Sequence, residues 1–553
     1  MTQSAAVPKY GGALTVAITA DPTNFDNGTK SISGSLTGTV YEKYLGTDWT
    51  RGPAGSGVTN LVSDGSAMDD YWAPRLAESW EMHKQGVWIL HIRQGMRWQP
   101  VNSDAGRLMA GRQVTADDIV SSFNRLMKAP GSWIKVGAPT VWSTANISKT
   151  GPWEVTVTAP EDYMTAFVWL IGAGGGFGYL YPPEVVARYG DVANWRNAVG
   201  TGPFMLVDYV PGSQFVFVKN PVYWEKDPVG PGKGNQLPYV DTLRELIIPD
   251  LSTRQSALRT GKLDLLDGVV KEDRQSLMKT TPKLEYRTYL VGSPWFIGMK
   301  QAVPGKPFND VRVRQAMMLA TDFNALKNDY YGGEAEILTW PVNKQLGALY
   351  LPLEEMPESV QALYGYNPEK AKQLLKEAGY PNGFKTSVAI NGDAQRIDEL
   401  AIYAGMWAKV GIDLKIDVKE TSVYNVMRSV ARTYEDMIYQ SLSAGLVGPL
   451  YFRANRGSAQ ANPSAVNDPP GTVPTIENAY QEMSKYLFLD MPKAYQEFKK
   501  LTPWLLEQAY VIPRPSPYAY NTWWPWLKNY HGQGAGLIRY SWVDQELKKS
   551  MGY

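Results

Sequence analysis

Three histidines, His83, His91 and His531, are all the imidazoles that this chain of 553 residues has for acid–base or metal chemistry, and it contains no cysteine. None of the three stands in the H-x-x-x-H spacing that puts two ring nitrogens on one helix face, and no G-x-S-x-G elbow presents a serine nucleophile. The absence of thiols removes a cysteine nucleophile, a thiolate metal site and a disulfide framework. No metal and no cofactor is therefore expected, and no catalytic residue is assigned. What remains for catalysis is the carboxylate complement of 54 Asp and Glu. Two carboxylates suffice for a glycoside hydrolase, and 19 Trp with 33 Tyr match the aromatic supply of a sugar-handling protein. Glycoside hydrolase is thus the enzymatic alternative.

The charged and glycine-rich residues that stand out have structural uses. Thr115-Ala116-Asp117-Asp118 reads as a helix N-cap followed by acids in the first turn, where they satisfy free amides and the helix dipole. Arg312 and Arg314 could take an anion, but an ion pair that holds their helix is the expected role. Gly172 to Gly178 (GAGGGFG) is the most glycine-rich stretch. A phosphate cradle would end in Gly-Lys-Ser/Thr and run into a helix, whereas here the chain continues Tyr179-Leu180-Tyr181-Pro182-Pro183, so a plain loop is expected.

The elements that would position a site are legible from periodicity. Gly12–Ala20 alternates as a strand and runs into the turn-rich Asp21-Pro22-Thr23-Asn24-Phe25-Asp26. Leu76–Glu81 and Trp88–Trp98 form a hairpin across Lys84-Gln85-Gly86, and Trp153–Val157 is a further strand. Val199–Trp224 (VGTGPFMLVDYVPGSQFVFVKNPVYW) is a second hairpin, turned at Pro211-Gly212. Leu243–Ile248 is a strand, closed by a short helix and Gly261-Lys262-Leu263-Asp264. From Gly292 a new alternation begins: a strand at Trp295–Met299, a helix opening at Pro307, a helix from Asn367 to Gly379, strands at Phe384–Ile390 and Ile412–Val418 around a helix through Trp407, and a buried strand at Tyr434–Tyr439. Such alternation belongs to an α/β protein. The length calls for two or three domains, and Lys+Arg 55 against Asp+Glu 54 gives a net charge of +1, which supplies no field for nucleic acid or an anionic membrane. No run approaches the ~18 apolar residues of a membrane span.

Five ordered motifs resemble the family 5 extracytoplasmic solute-binding proteins of ABC transporters, the group that includes dipeptide- and oligopeptide-binding proteins. They are Leu76–Glu81 with the strand ending Ile92-Arg93-Gln94-Gly95, the Val199–Trp224 hairpin, Pro307–Ala316 (PFNDVRVRQA), Tyr366–Gly411, and Val511-Ile512-Pro513. The resemblance implies an α/β, two-lobed periplasmic-binding-protein-like fold (type II, cluster C) with an extra smaller domain on lobe one. The implied boundaries are 1–47, 193–291 and 515–553 for lobe one, 48–192 for the extra domain and 292–514 for lobe two. Two lobes joined by a hinge would close on a small-molecule ligand and dock on ABC transporter permease subunits; a monomer with no nucleic-acid partner is implied. The opening MTQSAAVPKYGG lacks a basic and an apolar signal region. Of a cytoplasmic protein and a mature periplasmic or extracytoplasmic one without its signal peptide, the resemblance favours the second.

It also bears on the ligand. Peptide-binding members carry a W-x-A-D-Y-x-D-P-like segment whose first acid holds the peptide's ammonium, and here Leu442–Pro449 (LSAGLVGP) puts Gly445 and Gly448 at the acidic positions. An unpaired buried ammonium is costly. An oligosaccharide or other neutral, hydroxyl-rich solute is therefore expected ahead of a peptide, held by aromatic faces and amide or hydroxyl groups. The ligand-binding residues expected at strand ends and in cleft-bordering loops are Asn24, Phe25, Trp295, Trp340, Tyr439, Gln440 and Ser443.

Overall fold

The computed structural model describes residues 6–22, 24–26, 36–59, 61, 71–129, 132, 134–135, 139–160, 166–172, 178–290, 295–301, 303–428, 432–441, 462–467 and 471–553. The chain divides into two compact units, one of Met1–Tyr289 with Ala519–Tyr553 and one of Leu290–Tyr518.

Among the described residues, the first unit contains three four- or three-stranded sheets. Strand β1 (Ala13–Ile18) begins one of them; β2 (Ala77–Lys84), β3 (Val87–Ile92), β4 (Asn146–Gly151) and β5 (Glu154–Thr158) form a second, in the order β2-β3-β5-β4. Helix α1 (Ala116–Lys128) packs on β4 and β5. It starts in a capping box: Thr115 takes the N3 amide, and Asp118 accepts from the Thr115 amide at 2.8 Å while Arg112 holds both carboxylate oxygens. Asp118 is thus fully used by the fold.

The Val199–Trp224 segment supplies β6 (Phe204–Val210) and β7 (Gln214–Lys219), which join β8 (Thr242–Ile247) and β1 in the order β1-β8-β7-β6. Its glycines are required by close approach. A Cβ on Gly200 would lie 2.0 Å from the Val40 carbonyl oxygen, and one on Gly202 2.5 Å from that of Thr39. The backbones meet there through Gly202 N–H to Val40 O (2.8 Å), and the buried Gln99 amide clamps the same turn by donating to Gly202 O and Phe204 O and accepting from Gly200 N–H. Beyond the hairpin, Tyr223 and Trp224 both donate to the Glu42 carboxylate. Next to it lies a second buried carboxylate, Glu225, paired with Arg75 and with Arg539 at 2.7 Å. Burial drives Glu42 up to about 7, with Glu225 adding to the rise, against the pull of Arg75 and of hydrogen bonds from Thr201 and Trp224.

Helix α2 (Leu251–Arg259) leads to Gly261-Lys262-Leu263-Asp264, and Asp264 is fully buried, accepting from the Thr15 amide, the Trp526 indole and the Lys548 ammonium. Strands β9 (Leu265–Val269) and β10 (Glu285–Leu290) flank the returning strand Ser516–Trp523 in the third sheet. The chain leaves the first unit through β10 and comes back through that middle strand.

The second unit is built on one five-stranded sheet of β11 (Trp295–Met299), β12 (Phe384–Asn391), β13 (Ile412–Lys419), β14 (Met437–Ser441) and β15 (Val511–Pro513), in the order β13-β12-β14-β11-β15. β12 runs parallel to β13 and β14, and β11 is antiparallel to both its neighbours. Helices α3 (Val311–Leu319), α4 (Pro368–Glu377) and α5 (Ala394–Ala408) contribute buried side chains such as Val313, Leu375 and Trp407 to one core with β11, β12 and β15. Arg312 makes the expected ion pair, with Asp310 at 2.6 Å. Arg314 does not: buried, it donates to the carbonyls of Gln508 and Phe308. Of the glycine-rich loop expected at Gly172–Gly178, residues 173–177 lie outside the described residues.

Candidate functional site

In open α/β sheets ligands bind beyond the carboxyl ends of the parallel strands. In the second unit that edge is marked by Asn391, Lys419, Ser441 and Pro513, together with Trp295, which opens the antiparallel β11 and stands opposite Ser441 in register. Trp295 is half-buried. The guanidinium of Arg396 lies 3.7 Å from its ring centre, a close cation–π stack, and the Tyr439 ring lies 5.5 Å away, tilted. Arg396 comes from the first turn of α5, whose N-cap is Asp393. That carboxylate accepts the Arg396 amide at 3.0 Å and pairs with its side chain at 2.8 Å. Both side chains remain about 30% exposed.

A second guanidinium, Arg428, follows helix α6 (Thr421–Val426) and reaches the Ser441 carbonyl at 3.4 Å. Its Nε is buried without a hydrogen-bond partner among the described residues. Burial lowers Arg428 from the usual guanidinium range, yet an arginine keeps its charge at neutral pH. From α6, Tyr424 donates to the Tyr439 carbonyl at 2.7 Å and fixes the end of β14; burial pushes its hydroxyl up to about 12.

Behind this edge lies a buried polar set. The Tyr439 hydroxyl donates to Glu399 at 3.0 Å, and Arg514 Nε lies 2.8 Å from the same carboxylate and 2.9 Å from the Tyr331 hydroxyl. Arg514 follows directly on β15, and its amide donates to the Trp295 carbonyl at 2.9 Å.

Of the residues expected from the sequence, the structure brings Trp295 and Tyr439 together at this edge. Gln440 is on the same strand, fully buried opposite Phe296. Trp340 is 3% exposed and packs in the core of the second unit. Asn24 and Phe25 belong to the first unit. Asn24 accepts the Asp26 amide at 2.7 Å, and Phe25 packs edge-on against Tyr209 and Phe215. Ser443, with Gly445 and Gly448, lies outside the described residues. Sequence reasoning missed Asp393, Arg396, Arg428, Glu399 and Arg514. The one local signal was Asp393-x-x-Arg396 directly after a buried strand, which is also an ordinary helix start.

Residues 72–463 match the family described as bacterial extracellular solute-binding proteins, family 5. The chain belongs to that family. It is 28% identical over 362 residues to heme-binding protein A of Haemophilus influenzae, covering 61% of this chain and 60% of that protein. It is also 28% identical over 382 residues to the dipeptide-binding protein of Escherichia coli, with 64% of each covered, so the chain spans somewhat less than two thirds of the length of these relatives. Among solved structures, the periplasmic binding protein DppA of Helicobacter pylori in complex with the peptide STSA superposes with a TM-score of 0.69 at 20% identity, over 97% of this chain and 98% of that one. HbpA2 of Haemophilus parasuis gives 0.70 at 21%, over 96% and 100%. The fold of this family 5 protein is the two-lobed α/β fold of type II periplasmic binding proteins. Membership in a solute-binding family makes it a binding protein and removes the glycoside hydrolase alternative. Among the described residues no helix is long and apolar enough to cross a membrane.

Proposed function

We propose that this protein is the solute-binding component of an ABC importer, acting outside the cytoplasmic membrane as a monomer. It binds a peptide or a similar small solute with a free carboxylate and hands it to permease subunits. Residues 48–192, which hold the β2-β3-β5-β4 sheet and α1, are its extra smaller domain.

The observation that carries the choice of ligand is the pair of guanidinium groups at the carboxyl edge of the second unit, Arg396 stacked on Trp295 and Arg428 beside Ser441. Guanidinium forks match carboxylate geometry. Asp393, a third exposed, supplies at the same edge an acid that an ammonium can use. The oligosaccharide placed first from the sequence loses ground for a physical reason. Stacking on a sugar needs open aromatic faces, whereas Arg396 covers one face of Trp295, and Phe25, Trp340 and Tyr439 are buried in packing contacts. The names of the relatives, dipeptide-binding and di/tripeptide-binding proteins among them, point the same way.

The test is calorimetry on protein stripped of co-purified ligand. It is titrated with di- to tetrapeptides, their C-terminal amides, their N-acetylated forms and neutral oligosaccharides. Binding of free-carboxylate peptides that weakens at least about tenfold for the amides is expected. Tight binding of a neutral oligosaccharide with no response to any peptide would overturn the reading.

A further inference from the structure

Glu399 has a full set of partners and no access to solvent. It stands one helical turn after Arg396 on α5, and its contacts close a circuit. The Glu399 carboxylate holds Arg514 Nε at 2.8 Å; the Arg514 amide holds the Trp295 carbonyl at 2.9 Å; the Trp295 ring carries the Arg396 guanidinium at 3.7 Å; and Arg396 leads back along α5 to Glu399. Tyr439 spans the circuit, its hydroxyl on Glu399 and its ring beside Trp295. The carbonyl of Arg514 is itself fixed by Thr339 Oγ1 at 2.8 Å.

A buried ion pair of this kind adds little to stability, since well-packed apolar side chains of similar volume usually do as well or better. What it does impose is geometry: the carboxylate can meet Arg514 and Tyr439 together only at one rotation of α5 about its axis, and that rotation sets where Arg396 lies. We propose that Glu399 is a positioning residue that presets Arg396 over Trp295 for the ligand's carboxylate, with Arg514 as its counter-charge. This rests on the reading of that edge as the ligand site.

The experiment uses the full chain labelled with 5-fluorotryptophan, the Trp295 resonance being assigned by Trp295→Phe. Fluorine NMR spectra are recorded without ligand for Glu399→Gln, for Glu399→Leu combined with Arg514→Met, and for Arg396→Ala. Trialanine affinity is measured in parallel. Both Glu399 variants are expected to move the Trp295 resonance toward its Arg396→Ala position. The double variant, which leaves no charge unpaired, is expected to recover the thermal stability lost in Glu399→Gln while binding trialanine about tenfold more weakly than the parent. A Trp295 resonance unmoved in both variants overturns the proposal, as does a double variant with parental affinity, because the pair would then serve stability alone. If the parent protein ignores trialanine while the Trp295 resonance shifts as described, the peptide reading has failed and the positioning role stands.

Discussion

Replacing Glu42 by glutamine should make the first unit more stable at high pH and leave it unchanged at low pH. Glu42 is buried and accepts hydrogen bonds from Tyr223 and Trp224, and removal from water is the main reason its carboxyl is pushed up from 4.5 to about 7. Because its folded value is raised, the folded state holds a proton that the unfolded chain has already released. The associated stability is complete below 4.5 and is lost as pH rises through 7. Each pH unit of displacement is worth 1.36 kcal/mol, so the displacement from 4.5 to about 7 corresponds to about 3 kcal/mol. An amide keeps the acceptor that Tyr223 and Trp224 use and carries no charge to bury. Glu42→Gln should therefore match the parent at pH 4.5 and exceed it by up to about 3 kcal/mol at pH 8. Denaturant titrations of both proteins at half-unit steps between these limits give the difference directly. A difference that stays flat across that range refutes the reasoning. So would a variant less stable at pH 8, which would mean that attraction to Arg75 outweighs the desolvation of Glu42.

His531 should act in the opposite sense: burial, with Arg287 nearby, lowers it to about 4, so its contribution is present above 6.5 and is lost as pH falls toward 4. A loss of about 2 kcal/mol between pH 7 and pH 4.5, absent in His531→Gln, is expected from denaturant titrations at those two values. Gly200→Ala should destabilise the first unit by about 3 kcal/mol, read from its unfolding midpoint, since the new Cβ would stand 2.0 Å from the Val40 carbonyl oxygen and only backbone can yield. Asp393→Asn should weaken peptides with a free amino terminus more than their N-acetylated forms, and calorimetry that finds both equally affected would show that Asp393 only caps α5.

The strands that make the two units were legible because their periodicity reports burial directly. The Phe215 and Phe217 alternation is a half-buried strand of β7, and the Thr115-Asp118 capping box is a local event that needs no tertiary knowledge. The candidate site was not legible to the same degree. An aromatic at a strand end looks the same in sequence whether it faces solvent, as Trp295 partly does, or fills a core, as Trp340 does. Nothing in the local sequence distinguishes Arg396 or Arg428 from the other arginines of the chain. What brings them together is the side-by-side placement of β12, β14 and β11, a pairing of segments far apart in the chain. The buried Glu399–Arg514 pair joins residues separated by 115 positions, beyond any local pattern.

The place of the strand Ser516–Trp523 between β9 and β10 bears on how the protein is made. The segment that completes the third sheet leaves the ribosome only after residues 290–515, so until then β9 and β10 each expose an unpaired edge to the same gap. The second unit, whose residues are contiguous, can reach its final form while the first is still waiting. A chain cut short before residue 516 would thus contain one finished unit and one with an open sheet, a form suited to capture by chaperones and to edge-to-edge aggregation.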